Sequence, residues 1–268
     1  MKPSVLPSVA VTFQPPADDP SKPTLIVHRP YASVPLNELE AHAEQGDPGS
    51  LLELGERYFS GALGAEQDYE KAYSYLVRAA EKDTQDAEYL IAECYRCGYA
   101  VQQDYDKYFR WLDRAAGHGS WRAMMNLTAA YREGRSAYGG HGPATDPEQC
   151  FAWSIQAEKT VRAYWDHYTQ PYYVDFDAEL QTLLAAYLRA CAQLSSLYAD
   201  GYGVNRDLKR ALYWLERGKR FGINATNDRG FSEMDQLIAD IRKRIERDKT
   251  RRAVPGADVT PKNGTAED

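Results

Sequence analysis

The side chains that could do chemistry are scattered along this sequence rather than grouped. Cys94 and Cys97 form a single CxxC pair with no second pair nearby, which favours reduced, buried cysteines over a metal or redox site. Asp175, Asp177 and Glu179 fall at a predicted helix start, where carboxylates interact with the helix dipole. The chain has no Walker loop, GxGxxG, GxSxG or HExxH motif. The five histidines are dispersed: His28, His42, His118, His141 and His167. We therefore expect no catalytic residue, no cofactor and no metal site.

The composition narrows the class of partner. The 268 residues include 32 Lys and Arg against 39 Asp and Glu, a formal charge of −7. An acidic chain does not neutralise phosphates, so nucleic acid is disfavoured as a partner. No apolar run is long enough to cross a membrane or to resemble a signal peptide. The sequence predicts a cytoplasmic protein with no membrane span.

Proline and polar residues set the limits of the folded part. Seven prolines in the first 34 residues disfavour helix, so residues 1–34 are predicted to form an extended or disordered arm. Residues 250–268 are polar and contain two prolines and two glycines, which predicts a disordered tail. The folded domain is therefore expected over residues 35–249.

Within that domain the sequence repeats every 36 or 37 residues. Each unit has a tyrosine, then a glycine suited to ending a helix, then an aspartate suited to capping the next helix. The tyrosines are Tyr58, Tyr95, Tyr131 and Tyr198, and the aspartates are Asp68, Asp104, Asp146 and Asp207. Small residues recur on the first helix of the units (Ala87, Ala123 and Ala190), and an aromatic residue recurs on the second (Tyr75, Trp111, Trp153 and Trp214). A period of this length predicts an all-α solenoid of helix–turn–helix units, with no strand.

The repeated residues resemble those of the Sel-one-like repeat family, a relative of the tetratricopeptide repeats. The fit is best over Leu194, Tyr198, Gly201-Tyr202-Gly203-Val204, Asp207, Arg210-Ala211 and Trp214. The resemblance covers residues 43–222 and implies a right-handed superhelical solenoid of about four repeats. An amphipathic segment at residues 232–249 follows the repeats and is predicted to form a C-terminal capping helix.

Two insertions interrupt the repeats, near residues 135–145 and 161–185. The first insertion places Asp146 twelve positions after Gly134, whereas Asp104 lies six positions after Gly98. The second carries Tyr164, Trp165, Tyr168, Tyr172, Tyr173 and Phe176. Tyrosine and tryptophan are frequent in binding hot spots, but they also fill cores, and both interpretations stay open.

The first helix of each unit also has positions that core packing does not require, and the residue type at these positions changes from unit to unit. Glu53, Leu90, Asn126 and Gln193 occupy one such position, and Arg122 and Arg189 occupy another. We predict that these residues, together with the aromatic insertion, contact a protein partner. The alternative is an ordinary solvated helix surface.

The function predicted from these features is a non-enzymatic scaffold that holds a protein partner. Residues 110–127 are similar to bacterial members of the family, some of which are linked to secretion systems and include immunity proteins. The resemblance thus implies an adaptor in a bacterial secretion or signalling system, or alternatively an immunity protein that neutralises a cognate toxin. A hydrolase that uses His141 or His167 is a further alternative.

Overall fold

The repeat region folds into consecutive antiparallel helix pairs. The structure, a computed structural model, describes residues 11–14, 24–27, 31, 34–168, 173–174, 178–226 and 231–253. The helices are α1 (Leu36–Glu44), α2 (Pro48–Ser60), α3 (Tyr69–Ala80), α4 (Gln85–Cys97), α5 (Tyr105–Gly117), α6 (Trp121–Glu133), α7 (Pro147–Tyr168), α8 (Ala178–Asp200), α9 (Leu208–Thr226) and α10 (Ser232–Ala253). The four repeat units are α2–α3, α4–α5, α6–α7 and α8–α9, which confirms the predicted α-solenoid.

A recurring set of contacts, which we call the turn clamp, closes the loop between the two helices of every unit. The backbone N–H of the capping aspartate donates to the carbonyl of the repeated tyrosine at 2.8–2.9 Å: Asp68 to Tyr58, Asp104 to Tyr95, Asp146 to Tyr131 and Asp207 to Tyr198. The aspartate carboxylate then accepts from a backbone N–H in the first turn of the second helix, at 2.9–3.0 Å: Lys71, Lys107, Gln149 and Arg210. The four predicted helix caps are therefore confirmed.

The same contacts bring a cation over the tyrosine ring in three of the units. Lys71 lies 5.2 Å from the ring centre of Tyr58, and Arg210 lies 5.6 Å from that of Tyr198. Lys107 lies over Tyr95 in the same way. A cation above an aromatic face adds about 0.5–1 kcal/mol at an exposed site. In these three units the clamp thus joins a backbone hydrogen bond, a helix cap and a cation–π contact.

Small residues allow the paired helices to approach closely. Ala87, Ala123 and Ala190 are buried, as the pattern predicts. A Cβ at Gly55 of α2 would lie 2.6 Å from the Leu76 side chain of α3, so this position takes no larger residue without a shift. The buried side chains form three clusters that follow one another along the chain.

The two ends of the solenoid are covered differently. At the N-terminal end α1 packs on α2. At the other end α10 packs on α9 through Met234, Ile238 and Ile241. This helix is the predicted cap, but it continues to Ala253 and so enters the predicted tail.

Three short strands, which the sequence analysis does not predict, lie outside the repeats. Strand β1 (Val11–Gln14) pairs antiparallel with β2 (Thr24–Val27), and β2 pairs parallel with β3 (Tyr173–Val174). The sheet thus joins the proline-rich arm to the second insertion. The remaining residues of the predicted arm and tail fall mostly outside the described residues.

The cap of α2 generates the first testable prediction. Burial raises the pKa of Asp47, but hydrogen bonds from the side chain and the backbone N–H of Ser50 lower it by more, and the net pKa lies below its usual value. A carboxyl with a lowered pKa stabilises the fold above its unfolded pKa and loses that contribution as the pH falls.

We expect Asp47→Ala to lower the free energy of unfolding by about 1 kcal/mol at pH 7, which is typical for the loss of a cap. The difference from the unchanged protein should be smaller at pH 3, because the stabilisation by the charged cap declines as the pH falls below the pKa of an unfolded aspartate. Urea unfolding followed by circular dichroism at both pH values measures this. Glu66→Ala, at an exposed acidic residue of the loop after α2, is the matched control. An equal loss at both pH values would contradict a role for the charged carboxylate.

Candidate functional site

The first helices of three consecutive units enclose a pocket on their common face. We call it the seam pocket. Its volume is about 250 Å³. Its lining residues are Glu56, Phe59 and Ser60 from α2, Asp86, Tyr89 and Leu90 from α4, and Arg122 from α6. A site built from three units depends on the stacking of the solenoid rather than on any one repeat.

An aromatic contact network positions the apolar wall of the seam pocket. The Phe59 ring meets Tyr69 and Tyr99 edge-on, with ring centres 5.4 and 5.9 Å apart. Tyr69 and Tyr99 stack face to face at 4.2 Å. Tyr69 begins α3 and Tyr99 follows α4, so neighbouring units jointly hold Phe59 in place.

Arg122 lies at the opposite side of the pocket and is held by two partners. Its Nη1 donates to Oδ1 of Asp86 at 3.1 Å. Its guanidinium lies 4.7 Å from the ring centre of Trp121. Asp86 and Arg122 occupy the same repeat position on successive helices, so the ion pair crosses the seam between two units.

Asn126 adds a second polar contact at this seam. It lies one turn after Arg122 on α6, beside the Tyr89 side chain. Burial raises the pKa of Tyr89, and the Asn126 and Arg122 side chains only partly oppose this shift. Tyr89 is therefore a neutral phenol at physiological pH. It offers an apolar ring to the pocket.

The extension of α7 brings Tyr164 to the same region. The Gln85 amide donates to the Tyr164 hydroxyl at 2.5 Å, which joins the start of α4 to the end of α7. Burial raises the pKa of Tyr164 to about 12. Of the predicted partner-binding residues, the structure thus brings Arg122, Asn126 and Tyr164 close to one seam.

Trp165 is a correction to the predicted site. Its side chain is only 9% exposed and meets Phe221 of α9 edge-on at 5.0 Å. Trp165 follows Tyr164 directly on α7, so its side chain points in a different direction and lies in the C-terminal hydrophobic core. For Trp165 the burial supports the core-filling interpretation over the predicted contact with a partner.

Glu53 is the second correction, because it is buried in an ion pair. Its Oε1 accepts from Nε of Arg57 at 2.8 Å, and both side chains are almost fully buried. Arg57 also donates to the carbonyls of Tyr31 and Leu63. The equivalent residues Asn126 and Gln193 are half-buried. Glu53 differs because no unit precedes it and the chain around Tyr31 covers this face of α2.

Of the remaining predicted residues, Arg189 and Gln193 are described with their side chains, and they do not line the seam pocket. Arg189 is exposed on α8 and Gln193 is half-buried on the same helix, in the fourth unit. Tyr168 ends α7 and Tyr173 lies in β3. Tyr172 and Phe176 fall outside the described residues. A partner-binding role for these six residues stays a prediction.

The first insertion packs against the second helix of its neighbouring unit. Tyr138 meets Phe109 of α5 edge-on at 5.0 Å. His141 Nδ1 lies 3.2 Å from Oδ2 of Asp106 on the same helix. The loop therefore covers α5, and its histidine contacts Asp106 at the surface rather than facing the seam pocket.

A buried carboxylate lies at the centre of a group of titratable side chains. Glu88 of α4 accepts from Nε of Arg114 at 2.6 Å and lies 2.8 Å from Nδ1 of His118. Burial raises the pKa of Glu88, although both partners oppose this shift. With Asp83 these residues offer ligand types that suit a metal ion. The Arg114 guanidinium already supplies the positive charge there, so the group is best explained as an ion-pair network.

The CxxC pair has no reactive thiolate at its first position. Burial raises the pKa of Cys94 to about 12, so its thiol is protonated at physiological pH. Within the described residues, no helix combines the length and the apolar character needed to cross a membrane.

Sequence reasoning missed Glu56, Phe59, Ser60, Asp86 and Tyr89 as pocket residues. The repeat pattern could have indicated one of them, because Asp86 occupies the same repeat position as Arg122 and Arg189. The aromatic residues Phe59 and Tyr89 gave no such signal, since their spacing also fits core packing.

Comparison with known proteins identifies the repeats. Four stretches of the chain match the family model described as Sel1 repeat: residues 48–83, 85–120, 122–159 and 188–220. Together they make up more than half of the chain, and residues 160–187 of the second insertion fall between the last two. No protein in the curated comparison matches significantly.

Solved structures are similar to this chain, and the first of them has the same fold. A Sel1 repeat protein from Oxalobacter formigenes is 26% identical, with a TM-score of 0.58 over 77% of this chain and 48% of its own. A protective antigen with an SLR fold from uropathogenic Escherichia coli is 28% identical, with a TM-score of 0.43 over 78% of this chain and 49% of its own. The chain thus spans about half the length of these two proteins.

The burial of Glu53 generates the second prediction. We expect Glu53→Ala to lower the free energy of unfolding by about 3 kcal/mol, because it removes the carboxylate that neutralises the buried Arg57. Glu56→Ala is the matched control, since Glu56 lies less than one turn away on the same helix and at the pocket. It should change stability by less than about 0.5 kcal/mol. Urea unfolding measures both, and similar small losses would contradict the buried ion pair.

Proposed function

Since this chain belongs to the Sel1 repeat family, we propose that it is a non-catalytic scaffold that holds a protein partner at the seam pocket. Proteins of this family are generally protein-interaction scaffolds. The single observation that supports this site is the lining of the pocket by three consecutive units around a pre-positioned aromatic ring and an ion pair.

The chemistry of the pocket favours a polypeptide over other ligands. Phe59, Tyr89 and Leu90 offer apolar contact area, while Arg122 and Asp86 can exchange hydrogen bonds with backbone or side-chain groups. Aromatic and arginine side chains in one partly enclosed patch are typical of interface hot spots. The formal charge of −7 disfavours a phosphate backbone as the ligand.

The half-exposed face around the pocket extends the proposed interface. Arg189 and Gln193 continue the positions of Arg122 and Asn126 onto the fourth unit. A partner that follows the stacked first helices would reach them after the seam pocket. The aromatic insertion beyond Tyr164 would then supply further contacts.

An adaptor role in a bacterial secretion or signalling system is the more specific form of this proposal. The bacterial sources of the two structural neighbours support a bacterial context. Neutralisation of a cognate toxin is the alternative form. The two differ in the partner's behaviour, because an immunity protein abolishes the activity of a purified toxin at stoichiometric ratio, whereas an adaptor joins active proteins.

The third prediction tests the binding site itself. We expect Leu90→Arg to reduce capture of the native partner at least tenfold, because it places a long charged side chain into the pocket. The measurement is affinity purification from the native organism with quantitative mass spectrometry. Leu237→Arg is the matched control, since Leu237 is an exposed leucine on α10. Circular dichroism shows whether both variants keep their helices.

Equal recovery of the same partners by the unchanged protein and by Leu90→Arg would contradict the seam pocket as the binding site. Equal loss with both variants would show that the effect is not local to the pocket.

A further inference from the structure

The capping helix α10 carries a row of cations on the side that faces away from the solenoid. Lys243, Arg247 and Arg251 follow one another at intervals of four residues, and all three are exposed. Residues four apart lie one above the other on a helix, so these side chains form a stripe about 12 Å long. We propose that this stripe, which we call the basic stripe, binds an acidic segment of a protein partner. It is an interaction surface separate from the seam pocket.

The basic stripe differs from the other cations of the same helix segment, because those cations are matched. Each of the other three cations between residues 242 and 249 pairs with a carboxylate at 2.6–3.3 Å: Arg242 with Glu216, Arg244 with Asp200, and Lys249 with Glu246.

The three side chains of the basic stripe form no ion pair or hydrogen bond with any residue that the structure describes. One acidic residue, Asp240, lies one turn before Lys243 on the same side of α10, but the two form no ion pair. The charges of the stripe are therefore left to the solvent or to a partner.

The stripe has no evident benefit for the isolated protein. Arg247 has a like charge four residues before it and another four residues after it, and like charges at this spacing destabilise a helix. The helix dipole attracts cations only at the last turn, which accounts for Arg251 but not for Lys243. The stripe does not serve solubility either, because it brings an acidic chain of formal charge −7 closer to neutrality. An anionic partner accounts for all three cations together.

The surroundings of the stripe favour a protein partner over a membrane or a nucleic acid. The apolar side of α10 is already buried on α9 through Met234, Ile238 and Ile241, so it is not available to enter a bilayer. A duplex presents phosphates over a wider surface than three cations neutralise, and the rest of the chain is acidic and repels it. A protein segment needs only carboxylates about 6 Å apart to match the stripe.

Fluorescence anisotropy with a defined acidic peptide tests the inference without knowledge of the native partner. The probe is a labelled, helix-forming peptide with a glutamate at every fourth position. We expect the full-length protein to bind it, and to bind it more weakly at high salt, because exposed charge pairs are screened. The same peptide with lysine in place of each glutamate should not bind.

Variants of Arg247 separate recognition from folding. Arg247→Glu should weaken binding of the acidic peptide about tenfold, because it turns attraction at the centre of the stripe into repulsion. Its melting temperature should equal or exceed that of the unchanged protein, since two like-charge contacts on α10 become two opposite-charge contacts. Arg247→Lys should bind as the unchanged protein does. Arg110→Glu, at an exposed arginine of α5, is the matched control for net charge and should also bind normally.

Three results would overturn the inference. The first is no binding of the acidic peptide, or equal affinity for Arg247→Glu and the unchanged protein. The second is an equal loss with Arg110→Glu, which would reduce the effect to net charge. The third is tighter binding, lost in Arg247→Glu, to vesicles containing phosphatidylserine or to a DNA duplex than to the peptide.

The test is independent of the proposed function. Leu90→Arg, which blocks the seam pocket, should bind the acidic peptide as well as the unchanged protein does. If Arg247→Glu binds the peptide normally while Leu90→Arg loses the native partner, the inference fails and the proposed function stands. The converse pair of results would support the basic stripe and contradict the seam pocket.

Discussion

The structure depends on one hydrogen bond that recurs in every unit, from the backbone N–H of an aspartate to the carbonyl of a tyrosine that precedes it in the chain. This bond closes the turn, and the same aspartate caps the second helix. The third unit shows how strong the constraint is. There the loop from Gly134 to Asp146 is twice as long, yet Asp146 still reaches Tyr131 at 2.9 Å. The extra residues leave the pair of helices and pack on α5 instead.

The geometry of the seam pocket follows from this constraint. Because each turn clamp fixes its two helices, the first helices of successive units meet in the same relative position along the solenoid. Residues that core packing does not require then lie at equivalent positions of successive units. Different residue types at these positions change the stability of the fold little. Asp86 and Arg122 are such a pair, since they share a repeat position but carry opposite charges that meet across the seam.

The local rules of the fold could be read from the sequence, whereas the surroundings of single side chains could not. The period predicted the units, the aspartate caps and the partly exposed Arg122 and Asn126, because each of these depends on residues nearby in the chain. Glu53 occupies the same repeat position as Asn126, but its burial depends on the distant chain around Tyr31. For Tyr164 and Trp165, composition alone could not tell which neighbour would face the core. Phe59 became part of a site only once Tyr69 and Tyr99 stacked beside it.

The bond between Gln85 and Tyr164 has a mechanical consequence. A solenoid in which each unit touches only the next behaves like a spring, because small hinge movements at the seams add up along its length. The Tyr164 hydroxyl of α7 accepts a hydrogen bond from Gln85 in the first turn of α4, which lies 79 residues earlier in the chain. This bond links the two helices beside the seam. Any bending that separates α4 from the extension of α7 must first break this hydrogen bond. The second and third units are thereby linked to each other on one side of the pocket.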